Sequence, residues 1–155
     1  MAIGDAMFLE RLYAAEDRVR EQASGFDDKA SYLLIILTFL AEFVEHLKFS
    51  GMLLDGVAIA ICVSALCAIL ELAMVRYQEE DAVFYAEYRK ETRVSNPGRT
   101  DAVIESAMRQ GMMQSAKARI RHNERINRVK GRLLVGSYST MLIALLMAIG
   151  KMALS

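Results

Sequence analysis

Proline is nearly absent from this sequence: Pro97 is the only one. Backbone breakers are few, so long helices can run on either side of it. Cysteine is scarce as well. Cys62 and Cys67 sit in an apolar stretch, five residues apart. On a helix that spacing turns them away from each other, and they cannot bridge within it. They read as small buried apolar residues. With only His46 and His122 besides, no zinc-type cluster is expected, and no metal. The net charge is zero, so no basic bias points to nucleic acid. No glycine-rich phosphate loop or nucleophile elbow occurs, so neither an enzyme nor a cofactor is expected. Residues 1–29 are dense with charge and lack an apolar core, so no cleavable signal peptide is expected.

What is present is apolar surface and charge, kept apart. Hydrophobic residues make up 54% and charged residues 25% of 155 positions, enough for a single domain. Between Arg132 and Lys151 lie 18 residues without a charge. A helix needs about 20 mostly apolar residues to cross the bilayer core. Lys151 can snorkel, so residues 133–154 suffice for a span. A second span covers 52–75, with an uncharged centre from Gly56 to Leu70. A first span covers 30–47 and is interrupted at its far end by Glu42 and Glu45. Phe49-Ser50-Gly51 is the only break between the first two, which predicts a tight helical hairpin. The ten methionines fit flexible apolar packing.

Orientation follows from the basic residues. Four precede the first span (Arg11, Arg18, Arg20 and Lys29), and thirteen lie between Arg76 and Arg132. Only Lys48 and Lys151 fall on the other side. The N-terminus and the long middle segment of this multi-pass chain are expected in the cytoplasm, and the hairpin tip and Ser155 outside, in the periplasm if the host is a Gram-negative bacterium.

The cytoplasmic segments also read as helices. In residues 5–24, Phe8, Leu12, Ala15, Val19 and Ala23 share one face. Asp27-Asp28 can cap the first span. Residues 76–132 predict an antiparallel helical hairpin with its turn at 96–98, Asn96-Pro97-Gly98. Thr100 or Asp101 caps its second arm. Ile104, Met108, Met112, Ser115, Arg119, His122, Ile126, Val129 and Leu133 mark a seam along that arm. The fold class is therefore all-α: an integral membrane bundle of three transmembrane helices with a cytoplasmic helical hairpin.

In lipid, helices associate through close contact at small residues. Gly56, Ala60, Ser64 and Ala68 form one such stripe, and Gly136, Thr140, Ala144 and Ala148 another. The stripes can meet each other or neighbouring subunits. A homo-oligomer is expected, because three short spans bury little surface alone.

Acidic groups within a span are costly and mark functional candidates. Glu42, Glu45 and Asp55 gather toward the outer leaflet, as solvated interface markers or as the lining of a pore. Glu71 has the same two readings at the inner interface, with Arg76 as a partner. Residues 117–132 carry seven basic residues and one acid against the third span. That run either attracts anionic lipid and sets topology or forms a basic pocket for a phosphorylated ligand, with Arg119, Asn123 and Lys130 facing the first helix.

These residues carry a resemblance. Phe26-Asp27-Asp28-Lys29-Ala30-Ser31-Tyr32-Leu33-Leu34 resembles the D-x-K-A-S-x-L-L opening of the transmembrane effectors of Pycsar antiphage systems. Asp27, Lys29, Ala30 and Ser31 match at that spacing. Arg119, Asn123, Ile126 and Lys130 ahead of the final span are a second likeness, and small effectors of the SLATT type share much of the layout. The resemblance implies a bacterial defence effector that responds to a cyclic nucleotide and then impairs the inner membrane. It makes Asp27, Lys29, Arg119, Asn123 and Lys130 candidate ligand residues. A membrane-anchored scaffold and a small channel or transporter subunit are the alternatives.

Overall fold

The computed structural model describes residues 3–46, 52–74, 90–91, 94–95, 98 and 100–153. Three long helices dominate: α1 (Ile3–His46), α2 (Met52–Ala73) and α3 (Asp101–Ala153). No strand occurs among the described residues. The interhelical turn at 49–51, and most of the first arm of the predicted hairpin (76–89, Arg76 included, and 92–93), lie outside them.

Local signals explain where α3 begins. Gly98 has φ +93°, a left-handed conformation that glycine adopts without a Cβ penalty. The Thr100 carbonyl then accepts from Val103 N (2.9 Å) and Ile104 N (3.3 Å), which starts α3. α1 departs from expectation. The sequence predicts separate helices over 5–24 and 30–47, with a cap at Asp27-Asp28, but α1 runs through all 44 residues without a break. Gly25 is too weak a breaker to stop it, since a mid-helix glycine costs only about 1 kcal/mol. With the helix continuous, Asp27 has no free helix start to cap, and its carboxylate serves another helix.

Contacts divide the chain into two compact units. Unit one comprises residues 1–20 and 77–125, and unit two residues 21–76 and 126–155.

In unit two, α1 buries Ala30, Leu33, Leu37, Leu40 and Val44, at steps of three and four. Ala30, Leu33 and Leu37 pack with Ala68 of α2 and Leu134 of α3. Further along, Leu40 and Val44 pack with Val57, Ala144 and Ala148. The order of these contacts makes α1 and α3 parallel and α2 antiparallel to both. Between the two clusters the Ser64 hydroxyl donates to the Ser137 carbonyl (2.7 Å), and the Ser137 hydroxyl donates to the Ser64 carbonyl (2.6 Å).

Small residues allow this closeness. Ser64, Ala68, Ala144 and Ala148 are fully buried, and Ala60 and Thr140 are partly buried. A Cβ at Gly56 would come within 2.8 Å of the Met147 methyl. Gly136 differs: nothing lies within 4 Å of where its Cβ would be, and Ser137 occupies the contact instead. Gly136→Ala is therefore expected to leave stability unchanged or raise it by up to about 1 kcal/mol through helix propensity. Ala68→Leu should lower it by about 1–3 kcal/mol through overpacking. Thermal unfolding of the detergent-solubilised chain compares them, and equal losses would refute this packing.

Two helices are long and apolar enough to cross a membrane: α2 over Leu54–Ala73, and α3 within Ala102–Ala153. α1 is not shown to be a third. Glu42 and Glu45 interrupt its apolar run, and residues 47–50 lie outside the described residues.

In unit one, α1 and α3 lie side by side. Val19, Ile104 and Ala116 are buried there, and the Lys117 ammonium sits 5.1 Å from the centre of the Phe8 ring. The α3 seam departs from the predicted one. Arg119 turns inward as predicted, but Ala116 and Asn123 do so as well, whereas His122 is exposed. In unit two Asn127, Lys130 and Leu134 are buried, whereas Val129 is exposed. The inward face thus keeps Ile104 and Arg119 of the predicted seam and is shifted by one position beyond Arg119. The physical reason is electrostatic: α1 presents carboxylates to this face, and α3 answers with cations.

Candidate functional site

The most concentrated chemistry in unit two is a buried charge cluster shared by its three helices. Lys130 of α3 is completely buried, and so is Glu71 in the last turn of α2. The Lys130 ammonium pairs with the Asp27 carboxylate of α1 and lies 3.6 Å from Glu71 Oε1. Neither Glu71 oxygen has a hydrogen-bond partner among the described residues. Asp27 is partly exposed, so the cluster is closed on the Glu71 side and open on the Asp27 side.

Local structure explains why these side chains meet. Asp27 is one turn before Ala30, which starts the buried stripe of α1. Glu71 is three residues after Ala68 and shares its face. Lys130 precedes Leu134 by one turn. Each charge therefore continues an apolar stripe by one turn and is carried inward with it. Removing Lys130, the one cation of the cluster among the described residues, would leave two carboxylates facing each other, one wholly buried, which is strongly unfavourable.

Unit one holds a second ion pair. Arg119 Nε lies 3.1 Å from Glu16 Oε1, and Nη2 lies 3.3 Å from Oε2. Nη1 donates to the Ser115 hydroxyl at 3.0 Å. Both residues are buried, and Arg20 reaches Glu16 at 3.9 Å from the surface side. The two-pronged geometry suits a guanidinium on a carboxylate.

The candidate residues read from the sequence thus fall in different places. Arg119 is engaged with Glu16 and Lys130 with Asp27 and Glu71, while Asn123 is fully buried in unit one. Lys29 is exposed on α1. Glu71 lies beside Lys130, and Arg76, the partner suggested by the sequence, lies outside the described residues. Glu42, Glu45 and Asp55 are exposed on unit two, and the structure gathers no buried acidic cluster from them. Glu45 borders a groove of about 370 Å³ between α1 and α2, together with Val44, Leu54 and Ala58. Cys62 is exposed and Cys67 half-buried, in contrast to the buried pair expected. No group of three or more His, Cys, Asp or Glu side chains could hold a metal ion among the described residues.

Sequence reasoning missed Glu16 and the convergence on Lys130. A signal was available. Glu16 and Asp27 are eleven residues apart on α1, and Arg119 and Lys130 are eleven apart on α3. Eleven residues make three helical turns, so each pair of like charges lies on one face of its helix. Both ion pairs join residues 103 positions apart.

Three exposed hydroxyls of unit two are held within their own helices. Ser31 donates to the Asp27 carbonyl (2.9 Å), Thr38 to Leu34 (3.0 Å) and Ser139 to Val135 (2.8 Å), each within its own helix. No family model matches this chain, and no curated protein or solved structure is similar to it.

Proposed function

We propose that this chain is a three-span protein of a bacterial inner membrane, and that it impairs membrane integrity when a nucleotide signal or a partner triggers it. The observation that carries the reading is the buried Asp27–Glu71–Lys130 cluster inside an apolar-walled bundle. Charges inside a membrane bundle are expensive and are kept where function needs them. The exterior supports the setting. Tyr32, Ile35 and Phe39 of α1 are more than half exposed, as are Ile59, Leu66 and Ile69 of α2 and Val135, Leu142 and Leu146 of α3. Apolar surface on that scale needs a lipid or protein cover. The same wall on α1 supports a third span over 30–47. The distribution of Lys and Arg supports a cytoplasmic N-terminus and a C-terminus outside. The defence role and the cyclic nucleotide rest on the resemblance at Asp27, Lys29, Ala30 and Ser31.

In this reading the cluster holds the inner ends of the three helices together, and the trigger weakens that hold. A homo-oligomer would turn Glu42, Glu45 and Asp55 toward a shared polar path. Reconstitution into potassium-loaded liposomes with a potential-sensitive dye tests the idea. The potential should collapse when a cyclic nucleotide or the native partner is added and hold otherwise. Glu42→Ala with Glu45→Ala should slow the collapse. Leak without any trigger favours a channel subunit, and a potential that holds throughout favours an anchor or scaffold.

A further inference from the structure

Unit two carries a second feature, on its outer surface. A groove of about 800 Å³ runs between α1 and α3, bordered by Phe26, Lys29, Arg128, Arg132, Val135 and Tyr138. The Phe26 ring lies against Gly131, 3.5 Å from where a Cβ on that glycine would be. Lys29, Arg128 and Arg132 are exposed, and none has a hydrogen bond or ion pair among the described residues. They stand at one end of the groove. The other end, one to two turns further along α3, is apolar: Val135 is 66% exposed and Tyr138 38%.

We propose that this groove binds one anionic glycerophospholipid. Its phosphate lies among Lys29, Arg128 and Arg132, and an acyl chain follows Val135 and Tyr138. Charge complementarity selects an anion at the first end, where three cations lack carboxylate partners among the described residues. The apolar continuation selects a lipid over a soluble phosphate, which would leave Val135 and Tyr138 uncovered. Basic pockets between spans on the cytoplasmic side are general sites for anionic headgroups. The 103-residue offset that brings Asp27 to Lys130 also sets Lys29 level with Arg132, so the cations come from both helices. This inference rests on the membrane reading above, and it is independent of any trigger.

The test uses the full chain purified in a neutral detergent and examined by native mass spectrometry. Phosphatidylglycerol and phosphatidylcholine of matched acyl chains are added separately. Phosphatidylglycerol adducts should be retained at least about tenfold better. The triple variant Lys29→Gln, Arg128→Gln, Arg132→Gln should bring retention down to the phosphatidylcholine level. The charge-matched control Lys117→Gln, Arg121→Gln, Arg125→Gln, whose cations lie outside the groove, should retain the preference. Tyr138→Ala should weaken retention of both lipids. Equal retention of the two headgroups, or equal loss in both triple variants, overturns the proposal. Displacement of the lipid by millimolar glycerol phosphate would also overturn it, by making the groove a site for free phosphate. Failure of the membrane reading looks different: the chain would then be soluble without detergent.

Discussion

Lys130→Met is expected to destabilise unit two by about 3–5 kcal/mol, the usual result of stripping a buried pair of one partner. The methylene stem of lysine is replaced by a similar volume, so packing loss contributes little. What remains is the wholly buried Glu71 carboxylate, facing Asp27 with no cation beside it among the described residues. Glu71→Gln should behave differently. It removes a carboxylate that has no hydrogen-bond partner among the described residues and leaves Lys130 with Asp27. A change within about 1 kcal/mol, in either direction, is expected. Lys130→Met combined with Glu71→Gln should recover a large part of the loss, because contacting residues do not add independently. Denaturant titration of the solubilised chain, followed by circular dichroism, measures all three. If Lys130→Met lay within about 0.5 kcal/mol of the parent, which is surface-like behaviour, the burial of the cluster would be refuted.

Arg119→Met should have an effect of similar size, about 3–5 kcal/mol, in unit one. Glu16 is 4% exposed and would be left with Arg20 alone, at 3.9 Å. Arg119→Lys keeps the charge but not the two-pronged geometry. It should lose about half as much, since a single ammonium replaces two parallel charge-assisted bonds. Glu16→Leu with Arg119→Leu should lie close to the parent, because a buried pair is often matched by well-packed apolar residues. Hydrogen exchange of the amides in residues 101–125 reads this locally. Residues 119 and 130 are eleven positions apart, about 16 Å along a helix, so Arg119→Met and Lys130→Met should act additively. A paired leucine variant no better than Arg119→Met would show that packing, and not charge, dominates there.

The helical class was readable because long uncharged runs and a single proline leave few other solutions. Glycine and alanine stripes were readable in part. The four-residue step selects Ser64, Ala68, Ala144 and Ala148, all fully buried, but it also selects Gly136, which has open space around it. A stripe identifies a face, and only neighbouring helices decide which edge of that face is covered. The α3 seam shows the same limit. Apolar residues at Ile126, Val129 and Leu133 suggest one face, whereas Asn127, Lys130 and Leu134 form the buried one. Periodicity weighs residues on a single helix, and it has no access to the carboxylates that a distant helix brings opposite. The same blindness placed a helix start at Asp27-Asp28. Acidic residues favour helix starts locally, but here Asp27 is committed to a cation 103 residues away.

The crossed bonds of Ser64 and Ser137 act as a pin between α2 and α3. Each hydroxyl reaches into the other helix's main chain, so both helices must keep one axial alignment. Sliding either by a single residue, about 1.5 Å, would break both bonds together. Tilting about the same point strains them much less. The pin therefore fixes the register of the two helices at their middle, while the Glu71–Lys130 contact and the packing of Val57 on Ala144 and Ala148 hold them on either side of it.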